Sequence, residues 1–173
     1  MSEESPSPRR YLEHAVVVNE AAGRALRLET RDASALQAKV SIGLSLQAAE
    51  LAGKCFLRMM GDSSETIRRN YRGHNTTKLL KDVADRIEAH ENDMFRLHGR
   101  YWRWQLLVDG VEYGTTIGEY FEHHFARGPS GYPRNYFYPD EETFAGPQPI
   151  QSLYVMVEKI LDCTRRTMEA VIE

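Results

Sequence analysis

The stretch SIGLSLQAAELAGKCFLRMMG, residues 41–61, decides the fold of this chain. With ASALQAKV ahead of it (33–40), it reaches the Gly61-Asp62 pair without a proline. Leu36, Val40, Leu44, Leu51 and Cys55 mark one stripe at helical spacing, and Ile42, Leu46, Ala49, Phe56 and Leu57 widen it. Ala33, Ala35, Ala38, Gly43, Ala48, Ala49, Ala52 and Gly53 keep the surface low. A helix with so few bulky side chains lets its neighbours come close, which predicts the central helix of a bundle. Asp32 or Ser34 can cap its start, and Gly61-Asp62 ends it.

Outward from this helix, the patterns stay helical. Tyr11 to about Arg31 is rich in Ala, Leu, Val and Glu and predicts a first helix. Residues 62–75 read as a loop. A third helix is expected from Thr76, capped by Asn75, with Leu79, Leu80, Val83, Ile87 and Met94 in its core face. The stretch RLHGRYWRWQLLV either extends it past Gly99 or forms a separate helix. Residues 109–149 are rich in glycine, proline and tyrosine and read as irregular, with a short helix at TIGEYFEHHFA. Pro147 and Pro149 then introduce a closing helix, in which Ile150, Leu153, Tyr154, Val157, Ile160, Leu161, Thr164, Met168 and Val171 repeat at bundle spacing. No alternation or hairpin turn argues for strands. The expected fold is all-α: a four-helix-type, up-and-down bundle with a long irregular connection before the last helix. It forms one domain over 11–173, after a flexible N-terminus at 1–10.

A chain of 173 residues can bury a core without staples. With 42% apolar and 27% charged residues the composition is that of a globular domain, not a disordered one. A formal charge of −3 supplies no global attraction for nucleic acid, so any such surface has to be local. Cys55 and Cys163 fall inside apolar helical patterns, which predicts two reduced thiols and neither a disulfide nor a metal site. No apolar run approaches membrane-spanning length, and MSEESPSPRR does not resemble the start of a signal peptide. The expectation is a cytoplasmic protein with no membrane partner and no cofactor.

Four groups of residues carry candidate chemistry. In RRNYRGHN (68–75), Arg69 and His74 are spaced as a phosphate-cleaving pair, with Arg68 and Arg72 beside them. Metal-independent RNA cleavage needs proton exchange at the 2′-hydroxyl and the leaving oxygen, and a cation on the phosphorane. Histidine and arginine meet those needs, and a helix start at Thr76 would favour the anion. The alternative is a solvated turn in which His74 caps or packs. In RLHGRYWRW, Arg96, Arg100 and Arg103 would share one helix face, suited to RNA phosphates, with rings near for stacking. The alternative packs Phe95 and Trp102 in the bundle and leaves the arginines in water. Glu50 and Lys54 are spaced i, i+4, an ordinary helix pair unless Glu50 faces a groove. His123-His124, beside Glu119 and Glu122, would point about 100° apart on a helix and do not converge on one metal ion.

Three stretches, in this order, resemble the HEPN family of small helical-bundle proteins: SLQAAELAGKCFLRMMG, RGHNTTKLLKDV, and NYFYPDEE followed by QSLYVMVEKILDCTRRTME. They span roughly residues 40–170, with no counterpart for 92–135. The resemblance implies two readings. The first is a metal-independent endoribonuclease of the toxin or defence type, because catalytic members carry Arg, a polar residue, three residues and His. Arg69, Asn70 and His74 fit that pattern here, with Arg69 on the phosphate, His74 moving protons and Asn70 orienting the site. The motif precedes the third helix, whereas many catalytic members carry it nearer the last two. The alternative is a non-catalytic module that binds nucleotide, RNA or a protein partner such as a nucleotidyltransferase or antitoxin. Related proteins commonly dimerise, which implies a homodimer.

Overall fold

Ser7 and Pro8 open the first helix, inside the segment expected to be flexible. The structure, a computed structural model, describes residues 6–27, 34–72, 75–95, 103–108, 111–116 and 150–172. Helix α1 spans Pro8–Arg27. The Ser7 hydroxyl oxygen accepts from the Arg10 N–H at 3.3 Å, and proline suits a first turn whose N–H groups have no partner within the helix.

Helix α2 spans Ser34–Met59 and ends as expected at Gly61, whose φ is +93°. The Asp62 N–H donates to the Leu57 carbonyl at 2.9 Å and the Gly61 N–H to the Arg58 carbonyl at 3.2 Å. This paired closure needs a left-handed residue at position 61, which glycine adopts without a steric penalty. Arg58 reinforces the exit: its guanidinium donates to the Asp62 carbonyl at 2.6 Å and to the Pro6 carbonyl at 3.3 Å.

The segment read as a loop contains a helix, α3 (Ser64–Asn70). Ser63 caps it, accepting from the Thr66 N–H at 3.1 Å, with Glu65 in its first turn and Arg68 and Arg69 in its last. Those charges complement the helix dipole at both ends. Helix α4 (Thr76–Ala89) starts at Asn75 as predicted, the Asn75 side chain accepting from the Lys78 N–H at 3.1 Å. It stops short of Met94. Beyond it Phe95 turns back into the core, edge-on to Phe56 at 6.4 Å and against the His90 ring at 4.2 Å.

Strands β1 (Arg103–Val108) and β2 (Val111–Thr116) pair antiparallel, with Val108 opposite Val111 and Arg103 opposite Thr116. This corrects the reading of RLHGRYWRWQLLV as helix throughout. Asp109-Gly110 is the two-residue connection a tight hairpin prefers, flanked by β-branched and aromatic residues. Helix α5 (Ile150–Ile172) closes the described chain. The bundle is all-helical, with the hairpin as its one departure among the described residues. The expected helix at TIGEYFEHHFA lies outside them.

Helix α2 is the hub: it packs on α1, α4 and α5 and also touches α3. Its buried face is Ile42, Leu46, Ala48, Ala49, Ala52, Cys55, Phe56 and Leu57. The predicted stripe is therefore displaced. Val40 is 46% exposed and Leu44 and Leu51 are half-buried, because the small residues at 48, 49, 52 and 53 face the neighbours. On α5, Leu153, Val157, Ile160, Leu161, Thr164 and Met168 are buried as the periodicity predicted. Both cysteines are free and buried, and desolvation pushes the Cys55 thiol up to about 12, so it stays protonated.

Helix α4 comes close to α2 at Gly53. A Cβ there would stand 3.1 Å from Leu79 Cγ and 3.2 Å from its Cδ2. Leu79 is itself fully packed, so a side chain at 53 has to push α4 away. Gly53→Val is expected to lower stability by about 1–3 kcal/mol in urea denaturation. An unchanged midpoint would show that α4 does not pack this tightly on α2.

Candidate functional site

Tyr71 is the pivot of the RRNYRGHN segment. It ends α3, is 6% exposed, and its hydroxyl donates to Asp82 Oδ2 on α4 at 3.0 Å. Burial raises the phenol's pKa well above its ordinary value, and the bond to the Asp82 carboxylate raises it further, so the hydroxyl remains a donor at neutral pH. The next turn of α4 is tied as well, by Arg86 to Asp62 at 2.7 Å. These two contacts fix both ends of α3 against α4.

A third tie comes from the hub. Glu50 is 7% exposed, pairs with Lys54 one turn on, and accepts from the Thr76 hydroxyl at 3.4 Å. It is more than an ordinary surface pair: it joins α2 to the first residue of α4. A buried carboxylate is tolerated only when paired and hydrogen-bonded, as it is here.

With the frame held from below, the cations are left outside. Arg68, Arg69, Asn70 and Arg72 are all exposed. Among the described residues, the guanidinium groups of Arg68, Arg69 and Arg72 have no hydrogen-bond or ion-pair partner. Lys78 joins them from α4: its ammonium is 3.5 Å from the Asn70 carbonyl and 5.5 Å from the centre of the Tyr71 ring. The structure thus gathers Arg68, Arg69, Asn70, Arg72 and Lys78 around one helix–helix junction. His74 lies outside the described residues.

The second arginine group is not assembled as expected. Arg103 is the first residue of β1, so it does not continue a helical face from Arg96 and Arg100, which lie outside the described residues. The physical reason is the hairpin: Arg103 pairs with Thr116 across a ladder and no longer follows a helical repeat. His123, His124, Glu119 and Glu122 also lie outside. Among the described residues, no three His, Cys, Asp or Glu side chains are grouped to hold a metal ion.

Sequence reasoning missed Lys78, the Tyr71–Asp82 bond and the Asp62–Arg86 bridge. Ser63-Ser64-Glu65 ahead of Ile67 is a helix-start signal that would have exposed α3. Pairing between Tyr71 and Asp82 has no such local signal. Comparison with known protein families, curated proteins and solved structures gives no match to this chain.

Tyr71→Phe removes one hydroxyl and leaves the ring. It is expected to cost about 1.5–3 kcal/mol in urea denaturation, as for a hydrogen bond to a charged acceptor. Stability equal to the parent protein would mean that the bond does not hold α3 to α4.

Proposed function

We propose that the chain is a HEPN-like metal-independent endoribonuclease with its site at the α3–α4 junction. One observation carries this reading. Arg68, Arg69 and Arg72 are exposed and unpaired among the described residues, on a segment whose neighbouring residue Tyr71 is buried and tied to α4. Unpaired arginines on a rigid frame are suited to phosphate, because each guanidinium can give two parallel N–H bonds to two oxygens. The four-helix up-and-down arrangement of that family is the one proposed for α1, α2, α4 and α5.

In this reading Arg69 holds the non-bridging oxygens of a phosphodiester and stabilises the charge that builds on phosphorus. His74 takes the proton of the 2′-hydroxyl, and the 2′-oxygen bonds to phosphorus as the bond to the 5′-oxygen breaks. The departing 5′-oxygen takes up a proton, leaving a 2′,3′-cyclic phosphate and a free 5′-hydroxyl. Asn70 orients the strand. Arg68, Arg72 and Lys78 hold the flanking phosphates, a role that depends on charge and not on base identity.

The test is labelled single-stranded RNA incubated with the purified chain in EDTA. Cleavage to cyclic-phosphate ends is expected, with Arg69→Ala and His74→Ala each lowering the rate at least about a hundredfold while changing the unfolding free energy by no more than about 0.5 kcal/mol. Full activity in His74→Ala would remove the histidine from the mechanism. RNA bound without cleavage by the parent protein would instead establish a non-catalytic binding module.

A further inference from the structure

We draw no further inference here: the strongest candidate, the apolar surface stripe of α2 on which Val40 is exposed and Leu44 and Leu51 are half-buried, carries nothing because nothing in the structure shows what covers it.

Discussion

The contact between Gly53 on α2 and Leu79 on α4 sets the geometry on which the rest of the molecule depends. Helix α2 is hydrophobic on a broad face, yet much of that face is alanine and glycine. Small residues give up some burial per residue, and in exchange let α1, α4 and α5 lie close around one helix. Close approach aligns the polar ties that follow: Glu50 reaches Thr76, Asp62 reaches Arg86, and Tyr71 reaches Asp82. Each of these bonds is short-range and directional, so none would form if α4 stood an ångström further out.

Those ties explain why the cations are at the surface. A segment holding Arg68, Arg69 and Arg72 within five positions would repel itself and fray without anchors. Tyr71 turns the chain inward between them and spends its hydroxyl on α4. The adjacent arginines are thereby presented outward with their guanidinium groups uncommitted among the described residues. Stability is supplied by the buried side of the segment and charge by its exposed side. That separation is what a phosphate-binding surface requires, since groups already paired within the fold have less to offer a ligand.

How much of this was legible follows from the range of each signal. The closing helix was readable because Leu153, Val157, Ile160 and Leu161 repeat within one element, and Asn75 was readable because a cap acts over three residues. The face of α2 was misjudged because large residues draw the eye, whereas the true interface is built on Ala48, Ala49, Ala52 and Gly53. Helix α3 escaped because seven residues hold fewer than two clear periods, and only its Ser63 cap marks it. The hairpin was missed because Asp109-Gly110 was weighed as loop composition and not as a two-residue turn. At the candidate site, spacing pointed to Arg69 with His74, and Asn70 entered only through the family resemblance. Lys78 was not visible, because only the packing of α4 beside α3 brings it to Asn70 and Tyr71.

The central claim is that the α3–α4 junction is an uncommitted cationic surface for a phosphodiester strand. The most direct measurement is the salt dependence of binding to a single-stranded RNA whose 2′-hydroxyls are methylated, so that it binds without being cut. Four cations, Arg68, Arg69, Arg72 and Lys78, predict that log K falls against log salt with a slope of about −2 to −3, reduced by about 0.7 for each one replaced by alanine. A flat salt dependence, or a slope that these four replacements leave unchanged, would contradict the account.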